Sequence, residues 1–581
     1  MAARRGLWLV LILIMVAVLT SAAGLAFVYT FVGRPRPIPS NATLVLRVSA
    51  DLPEYEPPGL PTLWSDQPTL RGLVGALRRA KTDRRIQGVV VVPGGTPALW
   101  GKTQELRDAL LDFRKAGKPL VAYLEYAGNQ EYYLASACDK VYLMPSGTID
   151  LGGLASYEMF LRGTLDKLGI YPDFVHIGDY KTAVNTFTEE GFTPAHREMI
   201  TSLNADAFGE LVRGIATSRK KSEADVRAIV DTGPLLPEDA LAHGLVDDLA
   251  YLDEVRKKSG IEPRSRLLES RDYLGSEDGG FGFTQGSRVA LIYAVGAITP
   301  GRSGESWQGG YVGSDTLNEY IRKVREDSSI KAVVLRVDSP GGSSIASDAI
   351  WRELMLTREV KPLIVSMSDL AASGGYYIAM PAHVIVAQPG TLTGSIGIFG
   401  GKFVTAGLMS KVGARIESVS EGRFAEMGSP ARPFTPEERA KLEEHMQAFY
   451  DQFVEKVAEA RRSTPEQIDA MAQGRVWTGR QAKDLGLVDE LGGLSRAMAI
   501  ARERAGIGAD APVELVVYPP RKSFFEWLAD PLSGADDGRS LLLDVFATPS
   551  ERRALAAVQA PLRLLRHGEP LALMPYVFVR P

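Results

Sequence analysis

The chain reads as an α/β fold built twice in tandem, and three observations predict it. A segment running from Lys118-Pro119-Leu120 through Tyr132-Tyr133 to Met144-Pro145 returns as Lys361-Pro362-Leu363 through Tyr376-Tyr377 to Gln388-Pro389, with Tyr376 lying 244 residues after Tyr132. In both copies short β-branched runs alternate with helical stretches, the rhythm of parallel strands joined by helices. In both, a strand-like run leads into a Pro-Gly-Gly turn, Pro93-Gly94-Gly95 and Pro340-Gly341-Gly342. A length of 581 residues calls for more than one domain. With 45% hydrophobic and 23% charged residues, the composition is that of a globular protein.

The elements follow in order. Residues 1–33 form an expected membrane anchor. Leu7 to Val32 is uncharged and mostly apolar, with Arg4 and Arg5 before it and Arg34 and Arg36 after it. A helix needs about 20 such residues to span a bilayer. The run also outlasts the roughly 7–15 apolar residues of a signal-peptide core, so retention is expected over cleavage at Ser21-Ala22-Ala23. With the N-terminus inside, this gives a single-pass protein of the cell inner (plasma) membrane, its bulk extracytoplasmic and residues 7–32 in lipid.

The first repeat, 42–270, opens with the strand-like Thr43–Val48 and continues to Gly88–Val92. A Gly-rich linker, 271–286, leads to the second repeat, 287–518, which opens with Val289–Val295 and continues to Ala332–Val337. Phe192-Thr193-Pro194 and Phe434-Thr435-Pro436 each precede a long helix; Thr435 and Glu438 form a capping box around Pro436. Gly244-Leu245-Val246-Asp247 matches Gly486-Leu487-Val488-Asp489, and these turns read as structural. Pro300 to Ser314 reads as a Gly-rich loop near the site. The extension 519–581 has no partner in the first repeat. Its Phe524, Phe525, Trp527 and Leu541-Leu542-Leu543 suit helix packing, subunit contact or membrane contact.

Some function classes drop out. A formal net charge of −4, with no basic block interleaved with aromatics, gives no reason to expect a nucleic-acid partner. Cys138 is the only cysteine, so no intramolecular disulfide forms, and its Ala-Ser-Ala context reads as packed helix rather than catalytic thiol. Six scattered histidines without a ligand-spaced cluster point to no metal, and nothing calls for a cofactor.

The two copies differ where chemistry would need them to. Only the second has a serine in a small-residue turn, Ala372-Ser373-Gly374-Gly375; the first has Asn129-Gln130 there. Only the first has a lysine in Gly178-Asp179-Tyr180-Lys181; the second has Gly422-Arg423-Phe424-Ala425. A serine hydroxyl needs a base to become a nucleophile. Small neighbours would admit a carbonyl to Ser373, and a helix beginning at Gly374 would offer N–H groups to an oxyanion. An N-capping serine in a Gly-rich turn is the other reading of that motif.

Asp338-Ser339-Pro340-Gly341-Gly342 can aim backbone N–H groups at an anion, or be only a tight turn. His383 could serve a triad, but the first repeat has Asp139 at the matching place with no nucleophile nearby, so a strand-edge role is expected. Lys181 is the better base. An unperturbed lysine titrates at about 10.4 and is protonated near neutrality, but burial lowers it, and a drop of about three units corresponds to ~4 kcal/mol. Ser395, in Thr391-Leu392-Thr393-Gly394-Ser395-Ile396-Gly397, could hold the neutral amine in line; the first repeat has Leu151 or Gly152 there.

These residues resemble the long, duplicated form of the signal peptide peptidase A family, also called protease IV. The motifs that carry the resemblance are Ser339-Pro340-Gly341-Gly342, Ala371-Ala372-Ser373-Gly374-Gly375-Tyr376, Thr391 to Gly397 and Gly178-Asp179-Tyr180-Lys181. It implies a tandem repeat of two Clp protease/crotonase-like domains after an N-terminal transmembrane helix. It also implies a serine endopeptidase with Ser373 as nucleophile, Lys181 as general base and Ser395 orienting the lysine. Gly374 and Gly341 would supply the oxyanion N–H groups, with Gly342 the other choice for the second. The implied substrates are cleaved signal peptides and similar hydrophobic peptides, and the implied assembly is a homotetramer. Two other readings remain: a crotonase-like acyl-CoA hydratase or thioesterase, and a non-catalytic scaffold that binds hydrophobic segments.

Overall fold

Apolar β-branched runs become the strands of two matching parallel sheets. The computed structural model describes residues 38–50, 52–55, 68–97, 99–261, 264–274, 286–306, 309–508, 511–520, 570–575 and 578–579, with 15–16, 19–21 and 24. The expected anchor over 7–32 lies almost wholly outside the described residues, as do Phe524, Phe525, Trp527 and Leu541–Leu543. Among the described residues no helix is long and apolar enough to cross a membrane.

The first repeat builds a six-stranded sheet in the order Asp248–Leu249, Lys140–Ile149, Leu120–Ala127, Ile86–Pro93, Ala42–Val48, Arg266–Glu269. Every pairing in it is parallel. Ala42–Val48 shows why: all its residues but Arg47 are buried, as expected of a strand covered on both faces. Helix Leu70–Thr82 covers it with Leu70, Leu73, Ala76, Leu77 and Ala80, an i, i+3, i+4 stripe, and starts at Thr69, whose side chain accepts from Gly72 N at 3.0 Å.

The second repeat repeats this order with Glu490–Leu491, Val384–Ala387, Leu363–Ala372, Ile330–Ser339, Ser287–Val295 and Val513–Tyr518. Its sheet adds Leu392–Gly394 beside the end of Leu363–Ala372 and, antiparallel to that, Val476–Thr478. The Gly-Leu-Val-Asp turns do the same job in each copy. Asp247 and Asp489 accept from Val141 N and Ile385 N, each at 2.7 Å, while Tyr132 and Tyr376 donate to the carbonyls of Leu245 and Leu487. The capping box of Thr435 and Glu438 opens helix Pro436–Arg461.

A third sheet joins the repeats. Its order is Gly304–Ser306, Gly309–Gly313, Ala297–Thr299, Gly341–Ser343, Leu571–Leu573, Ile398–Val404, Tyr171–Ile177. The stretch expected to be a loop, Pro300 to Ser314, instead carries two antiparallel strands of this sheet; its glycines (Gly301, Gly304, Gly309, Gly310, Gly313) hid the pattern from a hydropathy reading. The span read as a linker from 271 begins inside helix Ser270–Leu274, whose Tyr273 is buried and bonds Asp83.

The repeats also meet through buried polar groups. Helix Gly101–Arg114 of the first approaches the second so closely that a Cβ on Gly101 would stand 2.6 Å from Ser368 O. Arg336, with no exposed surface, pairs with Glu54 at 2.8 Å and Glu105 at 2.9 Å. Lys102 pairs with Asp338 at 2.8 Å, and its backbone N–H donates to Asp369 at 2.8 Å. This junction sits where strands Ile330–Ser339 and Leu363–Ala372 run toward the residues described next.

Candidate active site

Ser373 stands between strand Leu363–Ala372 and helix Gly374–Ala379, at φ 55° and ψ −113°, a conformation rare for any residue with a Cβ. Its side chain makes no capping hydrogen bond to that helix, so the capping reading of the motif is not what the structure shows. The turn is tight because its neighbours are small. A Cβ on Gly375 would meet Ser339 O at 2.5 Å, and one on Gly374 would meet Ser347 Oγ at 2.7 Å. The N–H of Gly374, first in its helix, has no intrahelical acceptor.

Lys181 reaches this serine from the other repeat. Strand Tyr171–Ile177 pairs antiparallel with Ile398–Val404, and Lys181 follows it. Its Nζ lies 2.7 Å from Ser373 Oγ, 3.0 Å from Ser395 O and 3.0 Å from Ser395 Oγ. All three residues are completely buried. Burial, with no carboxylate beside it among the described residues, holds the Lys181 amine well below the usual lysine range. Three polar neighbours match a neutral amine, which has one lone pair and two N–H groups. Ser395 also has a positive φ, 51°, and its N–H is tied to Arg475 O at 2.7 Å, which fixes where its two oxygens point.

The glycine turn closes the site. An ideal Cβ on Gly341 would lie 2.7 Å from Gly374 N, so these two backbone segments face each other with nothing between them. The Gly341 N–H donates to Ser339 Oγ at 3.2 Å. Gly342 is registered with Ile298 on one side and Ala572 on the other, Gly341 is registered with Leu573, and a Cβ on Gly374 would lie 3.1 Å from both Gly341 Cα and Gly342 N.

The histidine and cysteine are elsewhere in role. Leu363 N donates to His383 Nδ1 at 3.1 Å, just as Leu120 N donates to Asp139 at 3.1 Å in the first repeat; both residues tie neighbouring strands. Cys138 is buried, and burial pushes its thiol upward. In the first repeat Asn129 occupies the position of Ser373 and donates to Gly153 O at 3.0 Å. Ser373 Oγ lies 3.5 Å from Gly397 O, the matching carbonyl, so the same architecture holds an amide in one copy and a hydroxyl in the other.

Sequence reasoning missed the groove that admits the lysine. A Cβ on Gly474 would fall within 2.5–2.6 Å of the Lys181 backbone and its Cβ, and one on Gly397 would stand 3.2 Å from Lys181 Cδ. Gly178 packs likewise on Gln473, and Tyr180 N donates to Gln473 O at 2.8 Å. Gly397 was visible as part of a motif. Gly474 gave no local signal, because the contact that requires it is almost three hundred residues away along the chain.

Comparison with known proteins shows the chain to be similar to peptidases. The model for "Peptidase family S49" covers residues 112–262 and 355–508, one segment in each repeat. "Serine protease SPPA, chloroplastic" of Arabidopsis thaliana is 39% identical over 75% of this chain, which spans 66% of that protein's length. "Protease 4" of Salmonella typhi is 37% identical over 80% of this chain and 76% of its own. A solved ClpP1 from Listeria monocytogenes overlies 35% of this chain and 89% of its own at 15% identity, with a TM-score of 0.22.

Proposed function

The chain belongs to peptidase family S49 and is a serine peptidase, and on that premise we propose that it cleaves hydrophobic peptides with a Ser373/Lys181 dyad drawn from both repeats. The observation that carries the reading is the 2.7 Å contact between a wholly buried, acid-free Lys181 Nζ and Ser373 Oγ. Lys181, held neutral by burial, takes the Ser373 proton as Oγ attacks the scissile carbonyl. The two N–H groups of the amine rest on Ser395 O and Oγ, which aims the lone pair at Ser373. The N–H of Gly374 receives the developing oxyanion, joined by that of Gly341 on its release from Ser339 Oγ, with Gly342 the other choice for the second donor. Protonated Lys181 then delivers its proton to the leaving amine, and water completes the second half-reaction by the same base.

The substrates we infer are signal peptides already released from secreted proteins, and similar apolar segments. Two facts support this. The walls beside Ser373 are apolar (Met199, Ile200, Leu203, Leu392, Val476), and residues 7–32 are apolar enough to hold the enzyme at a membrane where such peptides remain. A homotetramer with its sites facing the membrane belongs to the same proposal. The acyl-CoA reading gives Lys181 no task, and a scaffold needs neither the strained Ser373 nor a neutral lysine.

The test is cleavage of an internally quenched apolar peptide by purified protein. Ser373→Ala and Lys181→Ala should each abolish turnover with the thermal transition retained. Near-normal cleavage by either variant rejects the dyad.

A further inference from the structure

Lys102, a second lysine of the first repeat, reaches the second repeat where its sheet is irregular, and the proposed reaction gives it no task. Strands Ile330–Ser339 and Leu363–Ala372 run in parallel register as far as Val337 beside Met367, and register resumes at Ser339 beside Ala371. One residue of the first strand, Asp338, therefore stands against three of the second, Ser368, Asp369 and Leu370. A ladder broken in this way no longer sets the strand ends by its own regular bonds. The groups the reaction needs lie just beyond the break. Ser339 leads into Pro340 and Gly341, and Ala372 leads into Ser373.

Lys102 bridges the break from the other repeat. Its Nζ lies 2.8 Å from Asp338 Oδ2 and 3.8 Å from Asp369 Oδ2, and its backbone N–H donates to Asp369 Oδ1 at 2.8 Å. Leu370 N donates to Asp338 Oδ1 at 3.1 Å, so the same carboxylate that Lys102 holds also crosses between the two strands. Helix Gly101–Arg114 starts at Trp100 without a side-chain cap of its own. Asp369 fills that role from the second repeat, placing a carboxylate on the free N–H groups of a helix N-terminus. Ser368, the remaining residue of the break, bonds Glu54 of the first repeat. Burial works against the Lys102 ammonium, but Asp338 and then Asp369 outweigh it and keep it well above the ordinary lysine range. Lys181, whose surroundings supply only burial, is held low. The first repeat thus sends one neutral lysine and one charged lysine into the second.

We propose that Lys102 is a positioning residue for the reaction: it touches no reacting atom, but by tying Asp338 to Asp369 it fixes the glycine turn that follows the one relative to the serine that follows the other. The lever is short, since Asp338 lies three residues before Gly341 and Asp369 four before Ser373. Oxyanion donors act only when they lie within about 2.7–3.1 Å of the place the charge develops, so a small drift of the turn against Gly374 and Ser373 is enough to lose one. The consequence for turnover rests on the peptidase reading above, whereas the tie itself is testable without turnover.

The experiment compares the full chain with Lys102→Met and with Lys102→Met/Asp338→Asn. The second variant also loses the tie, but it leaves no unpaired charge on residue 338 and keeps an acceptor for Leu370 N. It serves too if Lys102→Met alone fails to fold. A displacement near 1 Å at a reacting group costs on the order of 10²-fold, so kcat on a quenched apolar peptide should fall by about 10- to 100-fold in both variants. KM should stay within about twofold, because Lys102 meets no substrate. The thermal transition of the double variant should return toward wild type while its kcat stays low, which a purely stabilising role would not produce. Hydrogen exchange read by mass spectrometry should quicken over residues 337–343 and 368–375 in both variants. A kcat within twofold of wild type in folded Lys102→Met overturns the proposal, as does a kcat that recovers with stability in the double variant, or unchanged exchange over both stretches. Faster exchange there, with no cleavage and no fluorophosphonate labelling of Ser373 by any form, rejects the peptidase mechanism and leaves the tie standing.

Discussion

Ser395→Ala offers the sharpest quantitative prediction. The Lys181 amine has three polar neighbours, Ser373 Oγ at 2.7 Å and the two oxygens of Ser395 at 3.0 Å each. If Ser373 donates to the lone pair, both amine N–H groups are taken up by Ser395. The substitution removes one acceptor and leaves the carbonyl, so the amine keeps its position but loses half of its restraint. A net hydrogen bond is worth about 1 kcal/mol, and a buried donor left without a partner costs about 1–3 kcal/mol. Felt at the transition state, about 1–3 kcal/mol is a loss of roughly 5- to 150-fold in kcat/KM. Both residues at 395 would be L-residues at the same φ of 51°, so backbone strain does not change and does not confuse the result. The assay is kcat/KM on a quenched apolar peptide for wild type, Ser395→Ala and Ser373→Ala, with thermal melts alongside. Activity within twofold of wild type would show that the hydroxyl does not orient the base. A loss as complete as that of Ser373→Ala would show that Ser395 is part of the proton path rather than a guide to it.

Other outcomes follow from the same geometry. Gly474→Ala places a methyl within 2.6 Å of the Lys181 main chain at a φ of 78°, and a displacement near 1 Å at a reacting group costs on the order of 10²-fold, so kcat should fall by that amount with the fold kept, as judged by circular dichroism. Lys102→Met strands the half-buried carboxylate of Asp338 and the buried one of Asp369, the second already pushed up to about 6 chiefly by burial; denaturant unfolding should show a loss of about 3 kcal/mol, the lower end for breaking a buried pair. The pH dependence has a definite sign. The folded-state titration of Lys181 is depressed, so above it the unfolded chain binds the extra proton and wild-type stability should rise with pH up to the lysine's unfolded value near 10.4. Relative to Lys181→Met, that slope approaches ~1.4 kcal/mol per pH unit in denaturant titrations, and equal slopes would mean that Lys181 is charged in the folded protein. Activity should fall on the acid side as the same amine protonates.

Much of the site was legible because the chain carries its own control. Ser373, Lys181 and Ser395 stood out only against Asn129, Ala425 and Leu151 or Gly152, the residues at matching positions in the other copy. The alternation of parallel strands and helices in both repeats, and the structural roles of His383 and of the Gly-Leu-Val-Asp turns, followed from comparison of the same kind. What the sequence hid is what the duplication does not repeat. Gly474 matters only because Lys181 crosses it, and the Lys102–Asp338 junction joins residues with no counterpart at the matching positions. Strand Leu571–Leu573 is three residues long, too short for a periodic pattern, and the tail that carries it has no partner in the first repeat. Sheet membership there is decided by the two edges that flank it, which are remote in sequence.

The central claim is that the two repeats make one active site. It is tested most directly by mapping fluorophosphonate labelling at neutral pH by mass spectrometry, in wild type and in Lys181→Met. Labelling confined to Ser373 in wild type, and lost in a Lys181→Met protein that still melts cooperatively, is the predicted result. Equal labelling of Ser373 in the two proteins would contradict it, because the serine would then be reactive without the lysine that the first repeat supplies.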